Sequence, residues 1–294
     1  MGFQIRVATI CMTSKADMEA NLKRAKELVK AAAADGAQWV LLPEIFAYNG
    51  PYDRFEELAV YDGSSVLEEL CRWAAELKVY LFAGSLGELS EEDLPIEIKQ
   101  SRKGYNRVYN TLYVIGTGGE IMGKYRKTHL FNLLNSDGTV AYSEADGFIP
   151  GDRGAVISID GVRVGLSICY DLRFSGYFNL LQSGGPCDVF MVPSAFTKKT
   201  GEAHWELLLR ARAVEYQAYV IASNQVGIHA PGKETYGHSM VVDPWGVVVA
   251  NTGAEEGFVV TDISSARLQQ VRQELPVLAN RRPEIYGDQS CDSY

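Results

Sequence analysis

Two short runs made entirely of apolar residues place the tightest limit on how this chain of 294 residues can fold. The first is Trp-Val-Leu-Leu at 39–42, which stops at Pro43, and the second is Val-Phe-Met-Val at 189–192, which stops at Pro193. Strands without a polar face are typical of sheets that are covered on both sides. Each run therefore predicts an interior strand of a doubly covered sheet.

Other strand-like runs alternate with segments that repeat apolar residues at helical spacing. We predict helices over 17–34, 65–77, 174–182, 203–217 and 265–275. The predicted strands cover 4–10, 39–42, 79–84, 109–115, 121–125, 155–159, 162–168, 189–192, 219–223, 237–242, 247–249 and 258–262. Turn signals at 116–119 and 160–161 pair two sets of these strands as hairpins. This α/β pattern fits two stacked sheets with helices outside.

The sequence contains no linker or low-complexity tract that would divide it. Its length allows one or two domains, and we expect a single domain over 1–294 with a C-terminal tail from about 276. The polar stretch 88–104 is predicted to be an exposed excursion that shapes the entrance to a site.

Composition and charge exclude several classes of function. The net charge of −9 argues against a nucleic-acid partner, which needs clustered Lys and Arg. No apolar run reaches the roughly 18 residues of a membrane span. Five cysteines without a C-x-x-C pair and four scattered histidines predict a reduced, cytoplasmic protein that has no metal site. The G-x-S-x-G pattern of serine hydrolases and the G-x-G-x-x-G pattern of dinucleotide enzymes are missing.

Cys169 is the strongest candidate nucleophile. It follows the run at 162–168, where a strand is predicted to end and a helix to begin within a few residues. Backbone N–H groups and the positive end of a helix dipole are expected there to lower the pKa of the thiol and to stabilise an oxyanion. The alternative is a small buried hydrophobic residue, the common role of a free cysteine.

Glu44, Lys127 and Glu144 are candidate partners of that thiol. Glu44 follows a buried strand, at the kind of strand end where sites form, and a carboxylate there can act as a general base. Lys127 lies in an alternating segment, from which an inward-facing lysine can stabilise negative charge. For each of them a solvated surface role is the alternative, and Glu144 has the weakest support from sequence.

Three segments together resemble the signature segments of the nitrilase, or carbon–nitrogen hydrolase, superfamily in both order and separation. They are Leu-Pro-Glu at 42–44, Tyr-Arg-Lys-Thr-His-Leu at 125–130 and Ser-Ile-Cys-Tyr-Asp-Leu-Arg-Phe at 167–174. Supporting segments lie at 109–112, 193–196, 204–213 and 219–225. The resemblance extends over roughly 4–287.

The resemblance implies a fold, a set of catalytic roles and an oligomer. The family fold is a four-layer α-β-β-α sandwich, commonly paired into a homodimer, and it uses no cofactor. By resemblance, Cys169 forms a thioester acyl-enzyme, and Glu44 takes the thiol proton and later activates water. Lys127 stabilises the tetrahedral intermediate together with the backbone N–H of Tyr170, and Glu144 positions the substrate and the lysine.

The residues after the nucleophile, Tyr170 and Asp171, are similar to those of amidases, carbamoylases and the Nit branch, whereas true nitrilases have Trp-Glu. Segments 200–206, 236–246 and 281–287 also resemble the Nit branch. This implies hydrolysis of the amide of a small 2-oxo acid, such as deaminated glutathione. The alternatives are ω-amides of the 2-oxoglutaramate type, N-carbamoyl amines, and a nitrilase-like scaffold that only binds.

Five residues near these segments are predicted to form the substrate site: His129, Tyr170, Arg173, Phe196 and Thr197. A carboxylate substrate needs a cationic anchor, for which Arg173 and the Lys198–Lys199 pair are candidates. An ion pair between Arg173 and Asp171 is an equal alternative, and His129 is expected to orient the pocket wall. Ser175-Gly176 and Asn132 depart from the Nit pattern of Pro-Glu and Asp, which leaves the substrate open.

Overall fold

The computed structural model describes residues 2–89, 104 and 106–286. Two sheets and two short hairpins account for its strands. These are β1 (Gln4–Cys11), β2 (Trp39–Leu41), β3 (Tyr80–Glu88), β4 (Val108–Ile115), β5 (Ile121–Arg126), β6 (Asn132–Leu134), β7 (Val140–Ser143), β8 (Phe148–Ile149), β9 (Ala155–Ile159), β10 (Val162–Leu166), β11 (Val189–Ser194), β12 (Tyr219–Asn224), β13 (Val226–Ala230), β14 (Lys233–Tyr236), β15 (Met240–Val242), β16 (Val248–Asn251) and β17 (Gly257–Ser264).

The two sheets share one plan. The first has the order β17-β1-β2-β3-β4-β5, with β8 beside β4, and the second has the order β16-β15-β12-β11-β10-β9. In each sheet three parallel strands form the centre: β1, β2 and β3 in the first, and β10, β11 and β12 in the second. Antiparallel strands flank both centres. The carboxyl ends of the parallel strands therefore meet at one edge of each sheet.

Helices cover the outer faces of the two sheets. The helices of the described residues are α1 (Met18–Ala34), α2 (Phe55–Leu58), α3 (Ser65–Leu77), α4 (Ser175–Leu180), α5 (Lys198–Tyr216), α6 (Ser265–Glu274) and α7 (Pro283–Tyr286). Buried residues of α1 and α3 share one core cluster with the outer side of the first sheet. Buried residues of α5, among them Trp205 and Leu209, belong to the cluster of the second sheet. The predicted four-layer α-β-β-α sandwich is confirmed.

Strand β2 shows why its sequence has no polar face. Trp39 and Leu41 belong to the core cluster that joins the two sheets, whereas Val40 and Leu42 belong to the cluster under α1 and α3. Alternate side chains leave a strand on opposite faces, so both faces of this strand are buried. Hydrogen bonds also cross between the sheets, since the Thr9 hydroxyl donates to the Ala222 carbonyl at 2.7 Å.

Several element bounds differ from the sequence-based prediction. Helix α5 begins at Lys198, five residues before the predicted start at 203. Strand β3 continues through Glu88, which was predicted to begin an exposed excursion but is buried, with 3% of its surface exposed. Most of that excursion, 90–103 and 105, lies outside the described residues. The β6–β7 and β13–β14 hairpins were not predicted, because each of their strands spans only three to five residues.

In the described part of the chain, no helix combines the length and the apolarity needed to cross a lipid bilayer.

Candidate active site

The four predicted catalytic residues meet at the strand ends of the two sheets. Glu44 follows β2, Lys127 follows β5 and Cys169 follows β10. Glu144 begins a single 3₁₀ turn, Glu144–Asp146, after the β6–β7 hairpin. All four line one recess of about 480 Å³, part of it open to solvent. The structure thus brings together residues that are separated by up to 125 positions in the sequence.

Lys127 lies between the two glutamates. Its ammonium nitrogen is 2.8 Å from Oε1 of Glu44, and 2.8 and 2.7 Å from the two carboxylate oxygens of Glu144. All three side chains are buried, and Lys127 is only 1% exposed. A buried ammonium is stable only where carboxylates compensate for its lost hydration, which both glutamates do here.

Neutral donors add hydrogen bonds to the same two carboxylates. Asn110 on β4 donates from Nδ2 to Glu44 at 2.9 Å and to Glu144 at 3.0 Å. The backbone N–H of Ala195 donates to Oε2 of Glu44 at 2.8 Å, and that of Phe131 donates to Oε2 of Glu144 at 2.7 Å. Each glutamate therefore has one orientation relative to the lysine.

The pKa shifts follow from burial and these contacts. Burial raises the pKa of Glu144 above its usual range, although Lys127 opposes the shift. Burial alone would lower the pKa of Lys127, but the carboxylates of Glu144 and Glu44 outweigh it and hold that pKa well above its usual value. The lysine is therefore an ammonium ion throughout the neutral range.

The prediction that the Cys169 thiol has a lowered pKa is wrong for this geometry. Burial raises the pKa of this thiol well above its usual value, and the charge of Glu44 adds to the shift. Lys127 and the backbone N–H of Ala195 oppose it without reversing it. The helix that follows is one 3₁₀ segment, Cys169–Arg173, so the dipole that was expected to lower the pKa is short. The Cys169 side chain is therefore a neutral thiol in the neutral pH range.

Backbone geometry turns Cys169 into the recess. Its φ is +48°, in the left-handed region that side chains other than glycine seldom adopt. Asp171, which is fully buried, accepts the N–H of Ile168 at 2.8 Å and so closes the turn around the cysteine. Strained backbone of this kind persists where the surroundings fix it, often at functional sites.

Four of the five predicted substrate-binding residues line a second, smaller recess beside the thiol. This space of about 220 Å³ is lined by Phe131, Cys169, Tyr170, Arg173, Ala195, Phe196, Thr197 and Thr200. The guanidinium of Arg173 lies 4.9 Å from the ring centre of Phe196 and 3.2 Å from Nδ1 of His204. Asp171 instead accepts from Tyr125 at 2.7 Å, so the alternative ion pair between Arg173 and Asp171 is not formed.

His129 is placed elsewhere. Its ring stacks on Phe174 with centroids 3.9 Å apart, and its Nδ1 lies 2.7 Å from Asp171 Oδ1. Within the described part of the chain it does not line either recess beside Cys169. The histidine packs behind the wall of the recesses, and its predicted part in substrate binding stays a prediction.

Sequence reasoning missed Tyr52, Tyr142 and Lys233, which line the main recess, and Asn110, which donates hydrogen bonds to both glutamates. A buried asparagine inside the apolar run 109–115 is the one signal that was available, because such an amide needs partners. Tyr52 and Tyr142 are joined by a hydrogen bond between their hydroxyls. Lys198, a predicted anchor, instead pairs with Glu234 at 2.8 Å on the surface.

The donor set of the site does not suggest a metal centre. In the ranges that the structure describes, no group of three or more His, Cys, Asp or Glu side chains is arranged to hold a metal ion. The space between Glu44 and Glu144 is taken by the ammonium of Lys127.

Comparison with known proteins extends the likeness over almost the whole chain. A model of the carbon–nitrogen hydrolase family matches residues 6–273. The omega-amidase NIT2 of Homo sapiens is 36% identical over 284 residues, which are 96% of each chain. The deaminated glutathione amidase of Bos taurus is 38% identical over 286 residues, 96% of this chain and 83% of the relative.

Solved structures agree with the sequence comparisons. The NitFhit protein of C. elegans superposes with a TM-score of 0.86 at 33% identity, covering 99% of this chain and 69% of that one. Nit3 of Saccharomyces cerevisiae, from branch 10 of the nitrilase superfamily, gives a TM-score of 0.80 at 29% identity, over 95% and 97% of the two chains. The chain belongs to the carbon–nitrogen hydrolase family and is an amidase.

Proposed function

We propose that this amidase hydrolyses the amide of a small 2-oxo acid through a thioester formed on Cys169. The observation that carries the mechanism is the ammonium of Lys127, which lies within 2.8 Å of both Glu44 and Glu144 in the recess that Cys169 lines. A nucleophile, a base and a fixed positive charge beside one cavity are the parts that acyl transfer requires.

Acylation begins from the neutral thiol. Glu44 accepts the thiol proton as the sulfur attacks the amide carbon. The reaction therefore needs no accumulated thiolate, and the raised pKa of the thiol does not prevent it. Lys127 and the backbone N–H of Tyr170 stabilise the oxyanion. The protonated Glu44 then delivers its proton to the departing nitrogen, the C–N bond breaks, and ammonia or an amine leaves behind a thioester.

Deacylation uses the same groups in reverse. Glu44 takes a proton from water, the hydroxide attacks the thioester carbon, and Lys127 again stabilises the oxyanion. Collapse breaks the C–S bond, the sulfur regains the proton from Glu44, and the acid leaves. Glu144 holds Lys127 in place with both carboxylate oxygens throughout the cycle.

The choice of substrate rests on the relatives and on the shape of the site. The named relatives are a deaminated glutathione amidase and an omega-amidase, at 38% and 36% identity. The recess around Cys169 offers a place for the amide, and Arg173, Tyr170, Phe196 and Thr197 of the adjoining recess provide room for a second group of the substrate. Omega-amides of the 2-oxoglutaramate type are the second candidate.

One experiment tests both the chemistry and the substrate class. Deaminated glutathione, 2-oxoglutaramate and an N-carbamoyl amino acid are each incubated with the enzyme, and the products are quantified. We expect a 2-oxo acid with an amine or ammonia, and a mass increase on the Cys169 peptide after rapid acid quench. Cys169→Ala is expected to lose about 10³-fold or more in rate. Full activity of that variant, or carbon dioxide release from the carbamoyl compound alone, contradicts the proposal.

We also propose a homodimer located in the cytoplasm. One face of α5 exposes Leu207 and Val214 beside Trp245 and Val247, which are between 44% and 65% exposed. Such an apolar patch on a helix is typical of an interface with a second copy. Sedimentation of the protein and of Leu207→Glu tests this.

The proposed cytoplasmic location rests on the cysteines. The free cysteines Cys11, Cys71, Cys169 and Cys187 fit a reducing compartment.

A further inference from the structure

Lys233, at the first position of β14, lines the catalytic recess together with Cys169, although it follows the nucleophile by 64 positions. We propose that Lys233 is a specificity-determining residue that binds a carboxylate group of the amide substrate. This inference rests on the proposed amidase function and names the feature by which the site selects among amides.

The surroundings of Lys233 form a cradle for an anion. Its ammonium lies 6.0 Å from the ring centre of Tyr52 and 5.8 Å from that of Tyr142. Burial raises the pKa of both tyrosines, so their hydroxyls stay protonated in the neutral range. Two phenol groups and one ammonium therefore surround the same part of the recess. Because one phenol hydroxyl donates to the other, the second hydroxyl and the ammonium can donate to a carboxylate.

The positive charge of Lys233 is not paired with a carboxylate in the described part of the chain. Among the described residues, no carboxylate oxygen lies within 4.0 Å of its ammonium. The neighbouring Glu234 points to the other face of the strand, where it pairs with Lys198 at 2.8 Å. Lys233 is an exposed residue, but its ammonium lies over two aromatic rings that line the recess.

The charge of the rest of the recess shows why an anionic substrate needs such a residue. Its other cation, Lys127, is shared between Glu44 and Glu144. The catalytic groups alone thus repel a carboxylate, and an amide that carries one requires a separate positive charge at some distance from the scissile bond. Lys233 supplies that charge in the same recess.

Arg173 is the competing anchor, and its position differs. It lines the second recess, with its guanidinium over Phe196. The two cations therefore lie in separate recesses that both include Cys169. A carboxylate held by Lys233 lies beside Tyr52 and Tyr142, and one held by Arg173 lies beside Phe196, so substitutions distinguish the two arrangements.

The test compares a charged and a neutral amide of similar length, glutaramate and pentanamide, in wild type, Lys233→Met, Lys233→Arg and Arg173→Met. Lys198→Met is the matched control, because Lys198 is an exposed lysine close in space but outside the recess. We expect Lys233→Met to lower kcat/KM for glutaramate by about tenfold or more, mainly through KM, and to change pentanamide hydrolysis by less than about twofold. Lys233→Arg should retain most of the preference, and Lys198→Met all of it.

A second readout does not need turnover. Glutarate should protect Cys169 from alkylation by iodoacetamide in the wild type, and a higher glutarate concentration should be needed in Lys233→Met. If Lys233→Met slows both amides equally or neither, or if Arg173→Met alone removes the preference, Lys233 is not the anchor. Those results leave the amidase proposal intact, whereas wild-type activity that survives in Cys169→Ala contradicts the mechanism itself.

Discussion

The amide nitrogen of Asn110 lies 3.0 Å from Oε1 of Glu144, the same oxygen that Lys127 contacts at 2.8 Å. Glu144 thus receives a neutral donor in addition to Lys127, whose ammonium also contacts Glu44. Because Nδ2 of Asn110 also reaches Glu44 at 2.9 Å, this single amide sets the separation of the two acids.

Asn110→Asp tests this role by replacing the shared donor with a third buried negative charge. We expect kcat/KM to fall by about 100-fold or more and the protein to unfold at a lower temperature, because the added carboxylate repels both glutamates. Asn110→Ala removes the donor without adding charge and should cost less, about tenfold. Equal activity of the two variants would show that charge in this position is unimportant.

A second prediction concerns Gly84, which lets strand β3 pass close to the segment that carries Glu44. A Cβ atom at this position would lie 2.0 Å from the carbonyl oxygen of Pro43. Gly84→Ala must therefore displace Pro43 and its neighbour Glu44. Since misplacement by about 1 Å can cost about 100-fold in rate, we expect a loss of that order in kcat, together with lower stability.

Gly176 offers the matched control for that substitution. A Cβ atom there meets no other atom within 4 Å, and the residue lies in α4. Gly176→Ala should leave kcat unchanged and should stabilise the fold slightly through the higher helix propensity of alanine. Steady-state kinetics and thermal unfolding of both variants provide the comparison, and an unaffected Gly84→Ala would remove the steric argument.

The sequence was sufficient to predict the layers and the four central residues. The apolar run at 39–42 required cover on both sides, and Trp39 and Val40 do belong to different core clusters. Glu44, Lys127 and Cys169 could be identified because each follows a predicted strand and because their segments resemble a known family. Periodicity and strand ends alone left a solvated or packing role open for each of them, and the resemblance to the family favoured the catalytic role.

Lys233 shows what the sequence could not reveal. It enters the recess through a hairpin whose strands span five and four residues, too few to show a clear periodicity. The effect of burial on the Cys169 thiol was likewise missed, because burial depends on packing from distant elements. Long-range placement and desolvation are properties of the assembled fold, and spacing along the chain does not encode them locally.

The third prediction is a pH dependence of stability that depends on Glu88. Burial alone would raise the pKa of this carboxyl, but hydrogen bonds from Arg126, Lys124 and Thr111 outweigh it and hold the pKa below its usual value of 4.5. A lowered folded-state pKa stabilises the protein fully above the unfolded-state value, and that contribution is lost as pH falls through the folded-state pKa.

Glu88→Gln should therefore be less stable than wild type at pH 7, and the difference should shrink once the pH drops below about 4.5. Urea unfolding at pH 7, 5, 4 and 3.5 measures the effect. Glu57→Gln is the control, because Glu57 forms an exposed ion pair with Arg54, a type of contact that contributes little. A constant difference across this range would exclude ionisation of Glu88 as its cause.

The last prediction concerns Asp171, which joins the segment of Lys127 to the turn of Cys169. Its Oδ2 accepts from Tyr125 at 2.7 Å and from the Ile168 N–H at 2.8 Å, while Oδ1 accepts from the His129 N–H at 3.1 Å. In Asp171→Asn, an NH₂ group replaces one of the two accepting oxygens. That group faces hydrogen-bond donors and cannot accept from them. An unsatisfied buried donor costs about 1–3 kcal/mol, so either the cysteine turn or the lysine segment must shift.

We expect kcat to fall by about tenfold to 100-fold with a smaller change in KM, because the residue positions the catalytic groups and does not line either recess. Asp137→Asn, at an exposed turn, is the control and should behave as wild type. A variant that is less stable but has unchanged kcat would assign Asp171 to folding alone.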